Sequence, residues 1–281
     1  MSSHHNSLRW RSGVNLVVIA AALVAITVIT NAYSFNLMLR NFRQSLSSTA
    51  LIYTEQISGK VDKINSGSLE LVSLAASSQN YYTSSPLGRY LTQQDILTRL
   101  QDRIRYVESS DLYFFYRTDS DELLTALSNR ASTGSSYFWN QYLMLPPTQP
   151  ANTWFSVTCN GETWLMCYYN VSQVRVGAAV RAKTLLQSLY ADTGLVQDSG
   201  FALAGLDGTI VYSSQPDLMA CGTSLAGHIP ASLIVESHTV PEVGTLLLFR
   251  PSSDLLHQLS GSFGWLLLLN LLALALITTM L

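Results

Sequence analysis

Apolar positions follow three patterns along this chain, and each pattern predicts a different kind of element. The first is uninterrupted. Gly13 to Phe35 and Ser262 to Leu281 are apolar stretches with no charged residue. Each is close to the roughly 20 residues that carry an α-helix across the hydrocarbon of a bilayer. A charge at mid-membrane costs about 2.5–3.5 kcal/mol on insertion scales, so the two stretches predict two membrane spans. A cleaved signal sequence fits the first stretch less well, because its apolar region runs only about 7–15 residues. The second stretch has no polar tail after it, which predicts a truncated chain whose natural sequence continues past Leu281.

The second pattern is helical. From Leu39 to about Ala75, apolar residues recur at Leu39, Phe42, Leu46, Ala50, Tyr53, Ile57, Val61 and Ile64, in steps of three and four. That period is close to a coiled-coil seam and predicts a stalk helix continuous with the first span. The seam either packs on its own domain, or couples that domain to the membrane, or does both.

The third pattern is short and alternating. Leu112–Tyr116 and Leu123–Leu127 read as strands, followed by the aromatic segment Tyr137–Leu143. Trp154–Cys159 and Glu162–Val171 flank Asn160-Gly161, a pair that favours a two-residue hairpin turn. Val174–Val180 is a further strand. A later group contains a hairpin, Phe201–Leu206 and Thr209–Ser213 around Asp207-Gly208, and a strand at Val243–Phe249. Helices are predicted from Thr92, capped with Asp95 and presenting Ile96, Leu97, Leu100, Ile104 and Val107, and at Lys183–Tyr190. Ser252–Ser260 is predicted to be a helix feeding the second span. The predicted class is α+β: a long helix, two successive antiparallel units, and a return helix.

Composition narrows the function. Net charge is −2 and charged residues make up 12% of the chain, with no polybasic patch, which argues against nucleic-acid contacts. The apolar stretches imply lipid contacts instead. Arg9 and Arg11 precede the first span and Arg40 and Arg43 follow it, so the basic-residue rule discriminates little. Long loops translocate largely regardless of charge, which leaves the short N-terminal tail inside and residues 36–261 extracytoplasmic.

Three cysteines, Cys159, Cys167 and Cys221, fit neither a disulfide framework nor a zinc site. The hairpin register sets Cys159 opposite Glu162 and Cys167 opposite Trp154, on opposite faces of the sheet. Buried free thiols are predicted. No phosphate loop, HExxH pair or GxSxG elbow occurs, so catalysis, a metal site and a cofactor are not expected. Asp119, Asp121 and Glu122 read as a solvated turn.

A small-molecule pocket is the more natural chemistry, since such sites are mostly apolar and aromatic with a few polar groups. The candidates are Tyr113, Arg117, Trp139, Tyr142, Trp164 and Tyr168. On the hairpin, Trp164 and Met166 share one face with Phe155 and Val157, so these aromatics also read as core. Arg117 follows an apolar strand and is the charged candidate for a ligand carboxylate or phosphate.

The order of elements resembles the double Cache module of bacterial transmembrane receptors. Tyr137-Phe138-Trp139 with Tyr142 and Trp154 is similar to the family's aromatic segment. Val176–Val180 with Leu185, Leu186 and Leu189 resembles the last distal strand and its exit helix, and FALAGLDGTIVYS resembles the proximal hairpin. The resemblance implies two tandem PAS-like lobes. The boundaries are a cytoplasmic tail at 1–12, a span at 13–35, a stalk at 36–79, a distal lobe at 80–193, a proximal lobe and exit helix at 194–261, and a span at 262–281. It also implies an extracellular small-molecule ligand, a homodimer, and the sensing part of a two-component histidine kinase. Two departures stand out. Tyr137 occupies the place of the family's arginine two positions before Trp139, and Arg181 and Lys183 replace an acidic residue. The family's amino-acid-binding signature is therefore absent. The alternative is a membrane-anchored binding or accessory protein without an output domain.

Overall fold

A computed structural model describes residues 3–78, 85–107, 110–129, 133–191, 199–225 and 229–253, and positions 264, 265, 268, 272 and 275. The predicted second span lies outside the described residues except at the last five of these positions. Most of the predicted helix Ser252–Ser260 also lies outside them.

The uncharged stretch and the helical seam form one element, α1 (Ser3–Ser78), a helix of 76 residues. From Val17 onward its first part is long and apolar enough to cross a bilayer. Val17 and Ile29 there are 66% and 67% exposed. Polar groups in this part are satisfied within the helix: the Thr27 hydroxyl donates to Leu23 O at 2.8 Å and the Asn31 amide to Thr27 O at 2.9 Å. Lipid offers no hydrogen bonds, so such internal pairing is what a spanning helix requires. Farther along, the seam turns inward. Leu46, Ala50, Tyr53, Ile57, Val61 and Ile64 are all buried, with Leu71 beyond them.

The chain divides into two compact bodies. One comprises Met1–Leu46, Ala231–Ile234 and Arg250–Leu281. In it the Arg250 guanidinium lies 5.5 Å from the Phe42 ring centre, and Ser252 N–H donates to Ser232 O at 2.7 Å. The other comprises Ser47–Pro230 and Val235–Phe249 and holds the bulk of two antiparallel sheets.

The first sheet has five strands: β1 (Leu112–Arg117), β2 (Glu122–Leu127), β3 (Phe155–Cys159), β4 (Glu162–Val171) and β5 (Val174–Arg181). Their order is β2-β1-β5-β4-β3. The hairpin takes the predicted register, with Cys159 opposite Glu162 and Phe155 opposite Met166. β1 is an interior strand and is buried on both faces. Alternation sends Tyr113 and Phe115 to one face, where the Tyr113 hydroxyl lies 3.5 Å from Ile64 O of α1. Leu112, Phe114 and Tyr116 go to the other face, onto Trp139 and Leu143 of α3 (Thr133–Met144).

The helix expected from Thr92 begins earlier. α2 (Pro86–Tyr106) is capped by Ser85, whose hydroxyl accepts from Gly88 N–H at 3.2 Å, with proline in the first turn. Proline there lacks an N–H that would have no partner anyway. The Thr92 hydroxyl instead donates back to Gly88 O at 2.9 Å. The segment expected as one helix at Lys183–Tyr190 is two short ones, α4 (Ala182–Leu185) and α5 (Gln187–Ala191), divided at Leu186.

The second sheet contains β6 (Gly200–Gly205), β7 (Ile210–Ser213), β8 (Leu233–Val240) and β9 (Gly244–Pro251), in the order β7-β6-β9-β8. β8 was not expected from the sequence. It is an edge strand, and Glu236, Ser237 and His238 interrupt its apolar alternation. Cys159 and Cys167 are buried free thiols as expected, whereas Cys221 is exposed, in a turn after β7. Polar side chains tie α1 to both sheets' surroundings. The Lys60 ammonium donates to Leu185 O at 2.9 Å, Ser47 meets His238 at 3.1 Å, and the Asn65 amide donates to Glu242 at 2.7 Å.

Candidate ligand-binding site

The six candidate residues fall in three places. Tyr113 points to the α1 side of the first sheet and is fully buried. Arg117 closes the β1–β2 turn: its Nε and Nη2 donate to the two carboxylate oxygens of Asp119 at 2.5 and 2.7 Å. That bidentate pair holds the Asp119 carboxyl below its usual range. Trp139 and Trp164 are fully buried and meet edge to face at 5.2 Å, and both belong to the core between α3 and the sheet.

Tyr142 and Tyr168 come together elsewhere. They line a cavity of about 90 Å³ with Leu143, Leu145, Pro146, Phe155 and Met166, and with Arg175. Arg175 was not among the residues expected from the sequence. Its signal was present: it is the lone charge inside the run Val174–Val180 of an otherwise apolar strand.

Register explains its position. Arg175 pairs with Tyr116 on one side and Asn170 on the other, and Gly177 pairs with Phe114 and Tyr168. Directly opposed residues share a face, so Arg175, Gly177 and Ala179 lie on the α3 side of the sheet. Gly177 leaves room there. A Cβ on it would stand 2.4 Å from Cys167 O and 2.8 Å from Phe114 Cε1. The guanidinium then lies 5.4 Å from the Tyr116 ring centre and 5.6 Å from that of Tyr168.

Arg175 is only 8% exposed. Its Nη1 donates to Leu143 O and Leu145 O, both at 3.1 Å, at the C-terminal end of α3. Helix C-termini carry partial negative charge, so this end favours a cation. Nε is buried without an acceptor. No described residue accepts from Nη2, and no described carboxylate pairs with the guanidinium. Burial accordingly lowers the Arg175 pKa, offset in part by the two tyrosines. An arginine remains protonated nonetheless. Burial also raises the Tyr142 and Tyr168 pKa values, so both hydroxyls stay neutral at ordinary pH.

Arg181, on the same strand, is the contrast. Its Nη2 donates to Asp111 Oδ1 at 2.9 Å and its backbone N–H to Asp111 Oδ2 at 3.0 Å. Ser128 completes that carboxylate at 2.9 Å. The basic residue that departs from the family pattern therefore has a counter-ion within the fold.

Comparison with solved structures gives the fold a place. The periplasmic sensory domain of the Campylobacter jejuni chemoreceptor Tlp1 superposes with a TM-score of 0.53 at 10% identity, covering 77% of this chain and 97% of that one. The chain has the fold of a sensory domain. That agrees with the double Cache resemblance in architecture. Weaker likenesses include the ligand-binding domain of Campylobacter jejuni Tlp3 in complex with L-norvaline, with a TM-score of 0.47 at 10% identity over 79% of this chain and 93% of that one. Another is the ligand-binding domain of the Pseudomonas aeruginosa amino acid chemoreceptor PctC in complex with GABA, with a TM-score of 0.42 at 12% identity over 74% and 99%. No family model and no curated protein matches the sequence.

Proposed function

We propose that this chain is the extracytoplasmic sensing region of a membrane-anchored bacterial receptor that binds a small molecule in its five-stranded lobe. The observation that carries this reading is α1. One helix is apolar and exposed over its first part and is a buried core element of the sensory fold over its later part. A ligand shifts a receptor only by preferring one of its states, and a helix packed in the lobe is the element such a preference would move. Tyr142, Tyr168 and Arg175 are assigned to the ligand. Tyr113, Trp139 and Trp164 are assigned to the core, and Arg117 to its turn. The lower edge of the reading is a homodimer with a histidine-kinase output, to be checked by ligand-dependent autophosphorylation of the full-length protein.

The cysteines supply the test of placement. Cys221 is exposed, while Cys159 and Cys167 are buried. A membrane-impermeant maleimide applied to spheroplasts is expected to label the wild type and not Cys221→Ser. Labelling that appears only after lysis would refute an extracytoplasmic sensing region.

A further inference from the structure

We infer that the cavity beneath the end of α3 is a site for a short-chain monocarboxylate, held by the guanidinium of Arg175 through Nη2. The inference rests on the sensory reading and names the chemical class of its ligand.

The donor count is the starting point. A guanidinium has five N–H donors in a planar fork. In Arg175 both hydrogen bonds leave from Nη1, to Leu143 O and Leu145 O, and they fix the plane of the group. The opposite edge, Nε with Nη2, has no acceptor among the described residues. Nε itself is sealed from solvent, so a ligand carboxylate would meet the guanidinium at Nη2, as a charge-assisted bond at one nitrogen. A buried, charged and half-satisfied guanidinium is costly to retain, and an anionic ligand supplies an acceptor at Nη2 and the missing charge. Arg181 shows that the same strand can hold an arginine with an internal counter-ion. Arg175 has none, and it faces a cavity.

The cavity sets the remaining chemistry. Its walls are mostly apolar and aromatic, Leu143, Phe155, Met166 and the two tyrosine rings among them, with Thr148 at the mouth. Apart from Arg175 no charged residue lines it, so a second ionised group on the ligand would find no counter-ion there. The lining therefore favours a ligand with one ionised group over dicarboxylates and zwitterionic amino acids. At about 90 Å³ the space equals about three waters of liquid volume, which limits the ligand to about two to four carbons. Acetate, propionate and butyrate have this form: one carboxylate and an apolar tail.

Titration calorimetry on the whole chain in detergent micelles tests it, with propionate as the probe and propionamide as its neutral isostere. Saturable heat from propionate and none from propionamide is expected. Arg175→Lys keeps the charge but loses the fork and should weaken binding at least about tenfold. Arg175 also braces α3, so a second variant guards against misfolding. Thr148 is an exposed residue at the cavity wall, and Thr148→Trp should abolish binding with an unchanged circular dichroism spectrum. Equal binding of propionamide, or full binding in a folded Arg175→Lys, overturns the proposal. No heat from propionate while Cys221 still labels from outside overturns the carboxylate and leaves the sensory reading standing. Propionate binding without outside labelling keeps the site and removes the sensory reading.

Discussion

At the scale of single residues, burial acts on titratable groups in ways the fold exposes to test. Cys167 sits in β4 with its thiol buried, and burial pushes its pKa from 9.0 up to about 11. Its folded value lies above its unfolded value. The thiol therefore contributes stability in full below pH 9, and loses it as the pH rises from 9 to about 11, where only the unfolded chain is ionised. Urea midpoints taken across that range should fall for the wild type and fall less steeply for Cys167→Ala. Equal slopes would show that the thiol is not shielded. The partners of individual residues were the least legible part of the sequence. Composition allowed free thiols, but the exposure of Cys221 depends on a turn whose packing is not local. Asp111 and Arg181 lie 70 positions apart, and only strand register brings them together. The role of Arg175 was hidden for the same reason. A lone arginine in an apolar strand is visible, but whether a carboxylate waits for it is not.

At the scale of elements, two glycines of α1, Gly59 and Gly67, look alike in the sequence. Gly59 has open space where a Cβ would go, whereas a Cβ on Gly67 would stand 2.6 Å from the Tyr113 hydroxyl. Alanine is better than glycine in a helix by about 1 kcal/mol. Gly59→Ala should therefore stabilise by roughly 0.5–1 kcal/mol. Gly67→Ala should destabilise, because Tyr113 is fully buried and cannot swing away. Adding Tyr113→Phe to Gly67→Ala should recover part of the loss, and chemical denaturation of the four proteins checks all three statements. The strands of the first sheet were readable because alternation and the Asn-Gly turn are local signals. The start of α2 was misplaced because a threonine and an aspartate at capping spacing occur inside the helix, while the working cap, Ser85 before Pro86, lies about two turns earlier. β8 escaped notice because an edge strand with one solvated face tolerates polar residues that hide its period.

At the scale of the whole molecule, the order of elements was the durable signal. A long helix followed by two antiparallel sheets is the architecture that the sequence predicted and that the Tlp1 sensory domain shares at 10% identity. Patterning survives such divergence because it needs only the apolar or polar character of each position. Chemistry does not, since a site depends on a few side chains that drift freely. Likeness of fold to the Tlp1 sensory domain therefore carries no likeness of site.

The seam of α1 has one more consequence, for assembly. Its period is that of a coiled coil, yet Ala50, Ile57 and Ile64 are completely buried within the single chain. The surface that would zip two stalks together is already occupied. Any pairing of two chains along α1 must use other positions, such as the exposed Leu51, Ile52 and Leu69. Folding of the lobes is thus unimolecular, with no protomer concentration in its equilibrium constant. Chains held one per nanodisc should melt at the same temperature as chains held at high density, and a lower midpoint for the isolated copy would mean the seam needs a second chain after all.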